Sequence, residues 1–263
     1  MKNFNDMYNK YSVCIVRITV KLPNGDLSSG TGFHIGKGYI VTARHVIEDN
    51  EIEEVVGEYS NNLEVKKVVY PKDIQIDLAL LETDFNLDYY INKVEIVGKD
   101  VEKIDHIEIG GHLDDWIGEE FVLTNVILMG FPPIPLSKTP ILVAVKAEVN
   151  AIIDKYIGPH PHFIISSVPR GGFSGGPVIS EYGFLLGILT ESLGEQDKPT
   201  EIGFASAISI EPLLSLIHEN NIDIGEGTLF IKELYGEPLD KLEIENKVNS
   251  EPFNELAPSS GEW

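Results

Sequence analysis

Between residues 12 and 207 the chain is a succession of short apolar, β-branched runs separated by turn residues, with almost no helical periodicity. Runs of this length, punctuated by glycine, proline and asparagine, pair as antiparallel strands. The candidate strands are 12–20, 28–35, 39–42, 63–69, 76–81, 121–130, 141–149, 163–167, 176–180, 184–190 and 202–207. Pro23-Asn24-Gly25-Asp26 is the strongest turn signal, because Asn-Gly accepts the positive φ of a tight hairpin. The proline-rich stretch 131–135 is excluded from a sheet interior, since proline lacks the ladder donor. Helix is expected only as a turn within 1–10, a turn within the acidic stretch 46–54, and an amphipathic segment at 211–218 with Pro212 in its first turn. An all-β barrel or sandwich with a short C-terminal helix follows.

Charge narrows the partners. The 263 residues carry 42 Asp plus Glu against 20 Lys plus Arg, a net charge of −22. A surface this acidic repels phosphate backbones and anionic lipid headgroups, which argues against nucleic acid and membrane as partners. Cys14, the single cysteine, sits in the apolar run Val13-Cys14-Ile15-Val16 and reads as a small buried side chain. The polar N-terminus lacks the apolar core of a signal peptide, and no apolar run reaches the ~20 residues of a membrane span. Together these set the expectation of a cytoplasmic protein. The acidic region 83–120 reads as a loop-rich excursion of unassigned role, and 249–263 as a flexible tail.

The chemistry concentrates in Gly171-Gly172-Phe173-Ser174-Gly175-Gly176-Pro177. Glycines let such a run bend sharply and aim backbone N–H groups at one point, beside an exposed hydroxyl. A phosphate loop would instead end in Gly-Lys-Ser or Gly-Lys-Thr, which is not present. A serine hydroxyl needs a base to act as a nucleophile. His45 follows the apolar Tyr39-Ile40-Val41-Thr42 and has the side chain best suited to that task. A base of this kind needs a carboxylate to hold its tautomer, and Asp77 is an acid set in the otherwise apolar Ile76-Asp77-Leu78-Ala79-Leu80-Leu81. Read singly, His45 is equally a satisfied core histidine and Asp77 a turn residue; the order His, Asp, Ser makes the coincidence improbable. His160-Pro161-His162 offers two close imidazoles without a second ligand pair, so no metal site is expected.

These segments resemble the chymotrypsin-fold, trypsin-like serine peptidases, in particular the disulfide-free HtrA/DegP-like branch. The likeness is carried by Gly30-Thr31-Gly32-Phe33 through Thr42-Ala43-Arg44-His45-Val46, by Asp77-Leu78-Ala79-Leu80-Leu81 and by Gly172-Phe173-Ser174-Gly175-Gly176-Pro177. It extends over Gly183–Ile188 and Ile202-Gly203-Phe204-Ala205, covering roughly residues 10–220. The resemblance implies two six-stranded antiparallel β-barrels with the site between them. The peptidase domain would occupy 1–224, followed by an acidic extension over 225–263 too short for a PDZ domain.

By the same resemblance His45, Asp77 and Ser174 are the catalytic residues of a serine endopeptidase acting on polypeptides without a cofactor. The N–H groups of Gly172 and Ser174 form its oxyanion hole, and Val168, Thr190 and Glu191 border its substrate pocket. Val168 suggests a preference for small aliphatic side chains. Phe173 stands where secreted relatives carry an aspartate, so their zymogen switch is absent. Three readings stay open: an active endopeptidase, a latent module of the same fold that binds peptides or awaits an activating partner protein, and an esterase.

Overall fold

The computed structural model of the chain describes residues 3–57, 62–86, 106–109, 121–154, 160–167, 171–194 and 201–236. Helix α1 (Phe4–Tyr11) opens the chain, capped by Asn3, whose side chain accepts from Asn5 N at 3.0 Å. It buries Met7 and Tyr11, and the Tyr11 hydroxyl donates to Gly183 O at 3.2 Å, tying the N-terminus to the second half of the molecule. A 3-10 turn (Ser12–Cys14) occupies the first residues of the run expected as strand.

Six strands follow: β1 (Ile15–Lys21), β2 (Leu27–Gly36), β3 (Tyr39–Thr42), β4 (Glu51–Gly57), β5 (Val65–Val69) and β6 (Ala79–Thr83). They form one sheet in the order β4-β1-β2-β3-β6-β5, a half-barrel. A short helix α2 (Arg44–Ile47) lies between β3 and β4. Of the stretch 46–54, expected to hold one helical turn, residues 46 and 47 end α2 and 51–54 belong instead to β4. It is an edge strand with Glu51 and Glu53 exposed and Val55 buried, and its register against β1 shifts between Thr19 and Val20, which sets Glu54 next to Glu53.

The second set is β7 (Asn125–Gly130), β8 (Val143–Asp154), β9 (Pro161–Ile165), β10 (Pro177–Ser180), β11 (Leu185–Gly194) and β12 (Glu201–Ser209). These six close into a barrel in the order β10-β11-β12-β9-β8-β7, every pairing antiparallel. Alternation decides what each strand buries. On β7, Val126 and Leu128 join the barrel core with Phe163 and Val178, while Ile127 and Met129 join the larger apolar cluster centred on the first sheet. That larger cluster also takes Leu213, Leu214, Leu216 and Ile217 of α3 (Glu211–Glu219). A further helix, α4 (Glu226–Tyr235), lies in the part read from sequence as an acidic extension. It buries Ile231 and stacks Tyr235 on His218 of α3, ring centroids 5.2 Å apart.

The architecture is that of a mostly-strand double barrel with few helices. The stretch 249–263 and most of 83–120 fall outside the described residues; of the latter, Ile107 is buried and donates its N–H to His34 O at 2.8 Å.

Candidate active site

The β3–β6 register brings His45 and Asp77 together. Thr42, the last residue of β3, faces Ala79, the first of β6, so the chain leaving β3 and the chain arriving at β6 share one end of the sheet. Asp77 therefore lies just ahead of its strand, not inside it as the apolar run suggested. Both of its oxygens are engaged by His45: Oδ2 lies 2.7 Å from Nδ1, and Oδ1 accepts the His45 backbone N–H at 2.9 Å. Two-point attachment fixes where the imidazole sits and how it is turned.

Arg44 anchors the same turn from behind. Its Nε donates to Glu48 at 2.8 Å, its guanidinium lies over the Tyr70 ring, and it reaches the carbonyls of Pro71 and Asp73. The His45 side chain is 49% exposed and that of Asp77 29%, so the pair is partly open to solvent.

Ser174 comes from the loop before β10. Gly172 and Gly175 there have φ of +97° and +86°. A Cβ on Gly175 would land on Thr31 O and Thr42 Oγ1, so the loop and the first sheet touch too closely for any side chain at that point. Phe173, buried against Gly130, anchors the loop into the barrel core. Gly175 N donates to Leu189 O at 2.7 Å and Gly176 N to Phe173 O at 2.9 Å. Among the described residues the N–H groups of Gly172 and Ser174 donate to nothing.

The Ser174 hydroxyl is directed at Thr190 O, 3.4 Å away, a long hydrogen bond. Ser174, Gly172 and His45 line a single cleft of about 590 Å³.

Thr31 joins the two halves and was not singled out from sequence. Its Oγ1 donates to Gly172 O at 2.6 Å and accepts from Phe131 N at 3.0 Å. Its own N–H donates to Ser174 O at 2.8 Å, and Thr42 Oγ1 donates to its carbonyl at 2.7 Å. One fully buried residue thus touches the serine loop and the strand that ends three residues before His45. Its signal was a lone hydroxyl between Gly30 and Gly32, a place where another backbone can come close.

Of the pocket residues expected from sequence, Val168 lies outside the described residues, and Glu191 is placed only by its backbone on β11. Thr190 is buried, its Oγ1 donating to Ser206 O at 3.2 Å. His160 Nδ1 faces Glu211 at 3.3 Å, and His162 Nδ1 faces His160 O at 3.0 Å. Among the described residues no three His, Cys, Asp or Glu side chains gather as metal ligands, and no helix is long and apolar enough to cross a membrane.

The model of the trypsin-like peptidase domain matches residues 30–188, which span His45, Asp77 and Ser174. No curated protein matches the chain. Among solved structures, the active form of the Rv3671c protease from M. tuberculosis is similar at 18% identity and a TM-score of 0.56, over 82% of this chain and 83% of that one. A serine endoprotease from Yersinia pestis is similar at 21% identity and a TM-score of 0.58, over 84% of this chain and 67% of that one. The HtrA-type protease AlgW with a tripeptide is similar at 15% identity and a TM-score of 0.58, over 84% of this chain and 64% of that one. At these identities the likeness establishes a shared fold.

Proposed function

The chain belongs to the trypsin-like peptidase domain family, and from that premise we propose that it is a serine endopeptidase working through an acyl-enzyme on Ser174. The observation that carries this reading is the two-point grip of Asp77 on His45 in the cleft that also holds Ser174. With Nδ1–H donated to Asp77, the imidazole keeps its lone pair on Nε2. Nε2 takes the Ser174 proton as Oγ attacks the substrate carbonyl, and Asp77 stabilises the imidazolium that results. His45 then gives the proton to the departing amine. Water repeats the sequence on the acyl-enzyme and frees Ser174.

Charge developing on the carbonyl oxygen is received by the N–H groups of Gly172 and Ser174. A donor of this kind contributes about 3–4 kcal/mol to transition-state stabilisation. Phe173 supports the loop by burial, in place of the ion pair that an aspartate there would make.

One observation favours a second reading. The Ser174 hydroxyl is turned to Thr190 O, as expected of a resting module that becomes productive only with substrate or an activating partner in place. Incubating the purified full-length protein with a quenched-fluorescent peptide library decides between them. Cleavage that disappears in Ser174→Ala supports the peptidase; selective peptide binding by a folded protein that cuts nothing supports the latent module.

A further inference from the structure

The catalytic cleft does not end at Ser174. His45 returns its proton to the departing amine, so the departing half of a substrate lies on the His45 side of the serine. The cleft extends that way along the first sheet, past Val46, Ser28, Ser29 and Thr19 to Arg17. Thr190, on β11, lines no part of it. At Arg17 a second cavity of about 360 Å³ begins, walled by Tyr8, Val56, Phe131, Ile141 and Leu142.

Arg17 is the residue common to both spaces. Among the described residues that line either one, no carboxylate appears, and Arg17 is the only lysine or arginine. In a chain of net charge −22 this stands out: the linings of these two spaces carry a cation and no carboxylate.

Resting on the reading of Ser174 and His45 given above, we propose that this region is a leaving-group subsite. It selects polypeptides in which a carboxylate adjoins a large apolar residue after the scissile bond. Arg17 receives the carboxylate, and the adjoining cavity receives the apolar side chain.

The guanidinium is oriented for this task. Its side chain is 18% exposed, and its two terminal nitrogens donate to Thr19 Oγ1 and to Glu54. Glu54 itself lines neither space and is 39% exposed, so its charge is partly screened by water while it holds the fork in place. The remaining guanidinium hydrogens stay available for a planar acceptor, and Arg matches carboxylate geometry better than Lys does. The carboxylate can be an acidic side chain or the free C-terminus of a chain ending in an apolar residue.

Binding to the full-length Ser174→Ala protein tests this without turnover, by fluorescence polarisation of tagged hexapeptides with free amino termini. Three amidated peptides carry Asp-Leu, Asn-Leu or Asp-Ser at the same two positions, and a fourth ends in leucine with a free carboxylate. At low salt Asp-Leu binds about tenfold more tightly than Asn-Leu or Asp-Ser, the size expected of one charge-assisted hydrogen bond or one filled apolar pocket. If the free leucine terminus binds tightest, the carboxylate comes from a chain end; if internal Asp-Leu does, from a side chain.

Arg17→Gln abolishes the Asp-over-Asn difference and leaves Leu over Ser; Ile141→Ser does the reverse. Should Arg17→Gln fail to fold, Glu54→Gln decides, because removing the competing carboxylate raises the preference for Asp. Equal binding of all four peptides, or a preference unmoved by these substitutions, overturns the proposal. Selective binding by a protein whose wild type cuts nothing would break the peptidase reading alone. Indifference to Asp and Leu in a protein whose wild type does cut would break this inference alone.

Discussion

The two halves of the candidate site are held by different means. His45 is fixed by a side chain: Asp77 grips its ring and its backbone at 2.7 and 2.9 Å, and Arg44 buttresses the turn behind it. The Ser174 loop is fixed by its backbone. Its peptide groups bond to Leu189 and Thr31, its glycines allow contact with the first sheet, and Phe173 anchors it by a buried side chain. The hydroxyl itself keeps a long 3.4 Å bond to Thr190 O. The proposed base is thus held within one sheet, whereas the position of the proposed nucleophile depends on the fit between the two halves, with Thr31 at the seam.

That difference can be broken from either side. The largest effect is expected at the base. Asp77→Asn removes the acceptor that sets the imidazole tautomer and should lower kcat about 10⁴-fold with little change in KM, measured on any cleaved peptide.

At the nucleophile, Gly175→Ala forces a side chain into the backbone of Thr31 and demands a positive φ, and Gly25→Ala serves as its control. Both glycines have positive φ, but a Cβ on Gly25 meets open space. Gly25→Ala should cost about 1 kcal/mol in chemical denaturation, the strain alone, and Gly175→Ala at least about 3 kcal/mol, together with activity.

Thr31→Val keeps the shape at the seam but loses the hydroxyl that bridges Phe131 N and Gly172 O, leaving these two only their long 3.4 Å bond to each other. A fall in kcat of roughly 10- to 100-fold is expected at unchanged KM, with recovery in Thr31→Ser. A loss in Thr31→Ser with none in Thr31→Val would show that Thr31 acts by volume only.

The smallest effect sharpens the contrast from outside the site. Lys37, and next the Gly225 N–H, hold the Asp223 carboxyl below its ordinary value at the start of α4. A folded-state value depressed in this way adds stability at neutral pH that is lost as the pH falls below about 3.9. Because the pair is exposed, Asp223→Asn should cost only ~0.5 kcal/mol at pH 7, shrinking as the carboxyl is protonated in acid, and leave catalysis untouched.

Much of this arrangement was legible in the sequence where the information is local. Glycine spacing around Ser174, the small Thr42-Ala43 pair before His45, and an acid in an apolar run at Asp77 each carry their physical reason within a few residues. What was not legible depends on partners far along the chain. Thr31 bonds to a carbonyl 141 residues away, and nothing near it announces that. The start of β4 fell within an acidic stretch read as holding a short helical turn; its pairing with β1 supplies the missing reason for a strand. Arg17 sits in an apolar strand, and its bond to Glu54 exists only because β1 and β4 are neighbours. Helix α4 lies in acidic text whose apolar residues gain meaning from packing on α3.

The central claim is that Asp77 and His45 activate Ser174. Its most direct test is the rate at which a fluorophosphonate acylates the folded wild-type protein, with the adduct mapped by mass spectrometry and Ser174→Ala and Asp77→Asn run in parallel. A single adduct on Ser174 is expected, none in Ser174→Ala, and a rate lowered by orders of magnitude in Asp77→Asn. An unlabelled wild type, or labelling of equal rate in Asp77→Asn, would contradict it.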